Sequence, residues 1–182
     1  MNITERLFGV TAKEIKEDVI ITPFLNVEYF AQTTKFRKTK GFLFEVLTQK
    51  ELSVVKTGVG ASFVGDAVMY LADTPCRRLY FIGSCAGLSP HEVGDIICAE
   101  KAFAGESFSE LLCNNAIDTS SCIVPENDLS DEFLKFCRAR QGGERKRQRI
   151  QTASVATLGS LSLESALVDS LKQQGIGGVD ME

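Results

Sequence analysis

The chain has 182 residues, enough for one domain with its own hydrophobic core, and a net charge of −4. Hydrophobic residues make up 44% and charged residues 24%, a globular balance with no general attraction for nucleic acid or an anionic membrane. No apolar run is long enough to span a bilayer, and the opening MNITERLFGVTAKEIKED lacks the basic-then-apolar order of a signal peptide.

DVIITPF, from Asp18 to Phe24, reads as a first buried strand ended by Pro23. GFLFEVLTQKELSVVKTGVG reads as two strands, 41–48 and 51–57, hinged at Gln49 and Lys50, before Gly58 and Gly60 break the pattern. In ASFVGDAVMYLAD, residues 61–73, Phe63, Ala67, Tyr70 and Leu71 recur at helical spacing and predict a helix packed on a sheet. RRLYFIG follows, and its four-residue apolar run suits a central parallel strand at 79–82. VGDIICAEKAFAG predicts a long strand, 93–104. LSDEFLKFCRAR predicts a helix with Ser130 as N-cap and Phe133, Leu134, Phe136 and Cys137 on its apolar side. RIQTASVATLG is a further strand, with its core at 150–157. SLESALVDSLKQQG is a helix stopped by Gly175, and IGGVDME a last strand. Strands alternating with helices give an α/β class: a single domain over 1–182, with one central, mixed, largely parallel sheet flanked by helices.

The six cysteines, Cys76, Cys85, Cys98, Cys113, Cys122 and Cys137, form no C-x-x-C pair, and His91 is the single histidine, so no zinc set is expected. The cysteines read as small buried hydrophobes in a reducing cytoplasm, with a disulfide framework as the lesser alternative. RARQGGERKRQR, residues 138–149, is a dense basic stretch without interleaved aromatics, which reads as a solvated helix end rather than a nucleic-acid patch.

Three glycine-containing loops follow three strands: KTGVGAS, GSCAG and TLGS. In parallel α/β sheets ligands bind beyond the carboxyl ends of strands, so parallel strands would bring these loops to one rim. Gly58 and Gly60 precede a helix whose first amides suit an anion or a polar ligand.

VVKTGVGASFVGDAVMYL, then LYFIGSCAGLSPHEVGDIICAEKAF, then VDME resembles the nucleoside phosphorylase/nucleosidase superfamily, over 51–113 and more loosely over 150–182. The branch it resembles most holds the uridine phosphorylases and hexameric purine nucleoside phosphorylases, with methylthioadenosine/adenosylhomocysteine nucleosidase next. The resemblance implies cleavage of a nucleoside's N-glycosidic bond through a cation-like sugar. It makes Glu182 the ribose-binding carboxylate and Met181 the residue packed on the sugar. Ser84 and Cys85, with the backbone of Ala86 and Gly87, become the wall for ribose, phosphate and base. Gly60 lies near the second substrate, and Leu158 takes the position of the ring that stacks on the base. Glu28 falls near the place where the nucleosidases keep their water-activating base, one residue out of register. A small-molecule nucleoside is the implied partner, with no nucleic acid and no membrane, and a cytoplasmic homo-oligomer, dimer or hexamer, is implied with it.

The departures bear on the reaction. TPFLNVEYF replaces the family's G-x-P-x-R loop, and Phe81 stands where those enzymes have an arginine. Phosphate binding relies on fixed cations, and only Lys56 and Arg37 offer substitutes. Ala156 stands where the family has an acidic or polar neighbour of the stacking ring, and Phe103 or Phe108 are the candidates to supply a ring. Relative to the family the chain is C-terminally short, without the segment that carries the leaving-base acid. These features favour hydrolysis over phosphorolysis and require no cofactor. The alternatives are a phosphate-dependent phosphorylase using inorganic phosphate as co-substrate, a catalytically degenerate nucleoside-binding module, and a plain α/β domain whose glycine loops are turns.

Overall fold

The computed structural model describes residues 2–24, 26–105, 122–140 and 149–181. The α/β class holds, and the strands divide between two five-stranded sheets. The chain gathers into two compact units, one running to Ser84 and the other spanning Cys85–Met181.

The first unit opens with helix α1 (Ile3–Phe8) and a 3-10 turn (Ala12–Glu14). Strand β1 (Asp18–Thr22) then leads to α2 (Val27–Thr34), β2 (Arg37–Lys40), β3 (Glu45–Thr48), β4 (Leu52–Lys56), α3 (Ala61–Leu71) and β5 (Arg78–Phe81). The sheet order is β2-β3-β4-β1-β5; β4, β1 and β5 run parallel, and β2 and β3 add antiparallel. Alternation sorts the apolar residues onto two faces. Val19, Ile21, Val46 and Val55 share a core with Leu7, Phe8, Phe44, Ala67 and Leu71. Leu47 and Val54 pack with Ile20, Ala31 and Phe36 on the α2 side. A sheet buried on both faces suits its near-continuous apolar strands.

The second unit contains β6 (Ala86–Gly87), β7 (Ile96–Gly105), β8 (Cys122–Ile123), α4 (Asn127–Arg140), β9 (Ile150–Leu158), α5 (Leu161–Gln173) and β10 (Ile176–Asp180). Its order is β6-β10-β9-β7-β8, with β10, β9 and β7 parallel. Leu88, Phe103, Ala156, Leu158, Leu167, Leu171, Ile176 and Val179 form its core. β10 has little room: a methyl group at Gly177 would stand 2.7 Å from the Ala153 Cβ and 2.8 Å from His91 Nε2. Among the described residues, His91 Nδ1 is buried there without a hydrogen-bond partner.

Several expectations need correction. Residues 41–44 are not strand; Phe42 N donates to Arg6 O at 2.9 Å and Phe44 N to Leu7 O at 3.1 Å, so this turn closes the exposed carbonyl end of α1. β5 is parallel as expected, but it ends its sheet's order instead of lying centrally. Ser130 is not an N-cap, because α4 starts earlier, at Asn127, and the Ser130 amide already donates to Glu126 O. Of the four apolar residues assigned to that helix's inner side only Leu134 is fully buried; Phe133 and Phe136 are exposed. Among the described residues no two cysteines form a disulfide, and Cys85 and Cys122 are exposed rather than buried. Cys113 and most of the basic stretch, 141–148, lie outside the described residues.

Candidate functional site

Because β4, β1 and β5 are parallel, their carboxyl ends form one rim of the first sheet. The ladder runs up to it: Thr57 N donates to Thr22 O at 3.1 Å, and Ile82 N to Ile21 O at 2.9 Å. Gly58 and Gly60 follow β4 with φ of +90° and +123°. Among the described residues no atom crowds a Cβ at Gly58, and at Gly60 the nearest is a Phe63 ring atom at 3.7 Å. Glycine is therefore demanded there by backbone angle and not by space. Gly60 is the N-cap residue of α3 and has no side chain to cap its first amides. Ser84, which ends this unit two residues beyond Ile82, is exposed.

Glu28 lies in the first turn of α2, the helix that leaves the carboxyl end of β1. Asn26 fixes that turn, its Oδ1 accepting from Tyr29 N at 3.0 Å. Glu28 Oε1 stands 3.3 Å from Lys38 Nζ, and Lys38 also reaches Glu45 Oε2 at 3.1 Å. Lys38 holds the Glu45 carboxyl below its usual range, with Lys56 and Lys40 adding to the effect. The two carboxylates in turn raise Lys38, Glu45 more than Glu28. Register explains this gathering: Lys40, Glu45, Lys56 and Thr22 occupy one rung across four strands at the rim. Of the two cations offered for an anion, Lys56 stands at this end. Arg37 is paired with Thr48 at the opposite end and is bound to Glu14.

In the second unit β9 and β10 end together, Thr157 opposite Asp180, and the Thr157 hydroxyl donates to Asp180 Oδ1 at 2.7 Å. Met181 follows, half-buried. Ala86 and Gly87 pair with Val179 and Gly178, so the small-residue loop is stitched to the strand that delivers Met181. Cys85 sits beside this pairing: a methyl at Gly178 would lie 3.1 Å from its Sγ. Leu158 does not present a wall, since its side chain is 1% exposed inside the core. Phe103 and Ala156 belong to the same core, while Phe108 and Glu182 lie outside the described residues.

The structure thus sets Gly60, Ser84 and Glu28 about the carboxyl end of the first sheet. In the second it joins Cys85, Ala86 and Gly87 to β10, just before Met181. Sequence reasoning passed over Lys38 and the Thr157–Asp180 bond. Asp180 lay inside the VDME block, and Lys38 and Lys40 alternate in RKTK, which puts both on one face of a strand. No other signal marked them.

No family model matches the sequence, and no curated protein is similar to it by sequence. Solved structures are similar in fold. An AMP nucleosidase from Bacteroides thetaiotaomicron superposes with a TM-score of 0.78 at 18% identity, over 98% of this chain and 74% of its own. A purine nucleoside phosphorylase from Toxoplasma gondii, solved with immucillin-H, gives 0.74 at 14% identity, over 100% and 74%. A 5′-methylthioadenosine/S-adenosylhomocysteine nucleosidase from Neisseria meningitidis, solved with methylthio-immucillin-A, gives 0.71 at 12% identity, over 91% and 76%. The fold of this chain is that of the nucleoside phosphorylase/nucleosidase superfamily.

Proposed function

We propose that the protein cleaves the N-glycosidic bond of a purine or pyrimidine nucleoside, by hydrolysis in preference to phosphorolysis. The observation that carries this reading is the likeness in fold to an AMP nucleosidase over 98% of the chain, with Val179 and Asp180 of VDME closing β10. Glu182 binds the ribose hydroxyls and stabilises the cation-like sugar, Met181 packs on the ring, and Ser84 with the backbone of Ala86 and Gly87 borders the substrate. Glu28 takes a proton from the attacking water. Hydrolysis is favoured because Arg37, Arg78 and Arg149 are each held by a carboxylate, Glu14, Asp18 and Asp95 respectively. None of the three stands ready to clamp inorganic phosphate.

The test is release of free base from a nucleoside panel, with and without phosphate, followed by chromatography. Release without phosphate is expected, and Glu28→Gln should slow it about 100-fold, the low end of a general base's contribution. A rate that requires phosphate would return the phosphorylase reading. The core positions of Leu158 and Phe103 support a second reading, a module that binds nucleosides without cleaving them, since neither ring nor side chain is offered for stacking. Calorimetric binding without base release would establish it. Sedimentation would test the homo-oligomer that the sequence resemblance implies.

A further inference from the structure

We propose that Lys38 is a positioning residue that holds the Glu28 carboxylate in place beside the carboxyl end of the first sheet. The inference rests on the reading of Glu28 as the base of a nucleoside hydrolysis, and its evidence is a contact shared by three elements. Lys38 lies on β2 in register with Leu47, whose side chain packs on the α2 side, and two rungs from Glu45 on β3, which shares that face. Its ammonium therefore rises on the face that α2 covers, where it meets Glu45 at 3.1 Å and Glu28 at 3.3 Å.

An isolated surface pair contributes little, because two long side chains must be ordered for one screened attraction. Here the ordering is shared. The Glu45 side chain is 23% exposed and anchors Lys38, itself 33% exposed, leaving Glu28, at 76%, as the most exposed of the three. Asn26 fixes the backbone from which Glu28 projects. During hydrolysis the water oxygen bonds to C1′ as the C1′–N bond breaks, its electron pair leaving with the base. Water gives one proton to Glu28 and keeps the other in the new hydroxyl, and the departing base takes a proton from solvent. A base that must meet that water benefits from a restrained carboxylate, and Lys38 supplies the restraint.

The full chain should be assayed as wild type, Lys38→Met, Lys38→Arg, Glu28→Gln and the Glu28→Gln/Lys38→Met double variant. Lys38→Met is expected to lower kcat about tenfold with KM little changed, a part of the about 100-fold that loss of a base costs. Lys38→Arg should restore most of the rate, and the double variant should be no slower than Glu28→Gln. If the two single losses multiply, the inference is overturned. A second readout is independent of turnover and of whether Lys38→Met folds well: the titration of the Lys38 ammonium by ¹⁵N NMR. It should fall in Glu28→Gln and fall further in Glu45→Gln. An unchanged titration in Glu28→Gln overturns the inference whatever the activity. Wild type that releases no base while Lys38 still responds to Glu28→Gln overturns the hydrolase reading and leaves the contact standing.

Discussion

At the scale of single residues, two glycines make opposite predictions. A Cβ at Gly41 would stand 2.1 Å from the Leu7 carbonyl oxygen and 2.4 Å from its carbon, both backbone atoms that cannot rotate away. The turn that closes α1 would have to move, and with it the hydrogen bonds from Phe42 and Phe44. Gly41→Ala is expected to destabilise the protein by about 3 kcal/mol, the upper range for overpacking a close-packed site. Gly65, inside α3, has no atom of the described residues, beyond its own helix backbone and chain neighbours, within 4 Å of where a Cβ would stand. Gly65→Ala is expected to stabilise by about 0.5–1 kcal/mol through helix propensity and a less disordered unfolded chain. Urea denaturation of the two variants beside wild type checks both signs. At this scale the candidate site was only partly legible. Glycines after strands announce themselves, because few other residues accept such angles. Leu158 does not announce whether it faces a ligand or the core, because one apolar side chain serves either purpose.

At the scale of elements, Asp95 and Arg149 tie the entries of β7 and β9 together. The Asp95 side chain is 4% exposed, and its oxygens accept from Arg149 Nη2 at 2.7 Å, Arg149 Nε at 3.2 Å and Glu92 N at 2.9 Å. Arg149 Nη2 also donates to Pro90 O at 3.1 Å. The Arg149 hydrogen bond, then the Glu92 amide, holds the Asp95 carboxyl below its ordinary value of 3.8. A carboxyl depressed by folding stabilises fully above its unfolded value, and that contribution is lost as pH falls through the folded one. Thermal melts should therefore show a midpoint dropping below about pH 4. Asp95→Asn should lower the midpoint at neutral pH and flatten that acid decline; an unchanged acid slope would assign the decline to other carboxyls. Elements with an apolar signature were legible, as in DVIIT and LSVVK. β2 was not, because RKTK carries no apolar alternation, and lysines along an edge strand discourage pairing with another chain. β5 was misplaced because RLYF is apolar enough for a centre and sits at an end. Local pattern reports burial, and neighbours in the sheet are decided elsewhere.

At the scale of the whole molecule, the alternation of strand and helix was enough for the α/β class, since each buried run needs a partner layer. The split into two sheets was hidden, because nothing in a strand's own residues names the sheet it joins. Each core gathers residues from distant stretches, 7 to 71 in the first and 88 to 179 in the second. The crowding at Gly177 has a consequence for how this chain can change. Positions 91, 153 and 177 divide a single small volume among a loop, a strand and the final strand, so substitutions there should be inherited as sets. A library randomised at the three positions and selected for folded protein should return alanine at 177 chiefly with glycine at 153 and a residue slimmer than histidine at 91. Such triplets would also relieve the chain of an imidazole nitrogen shut away from water.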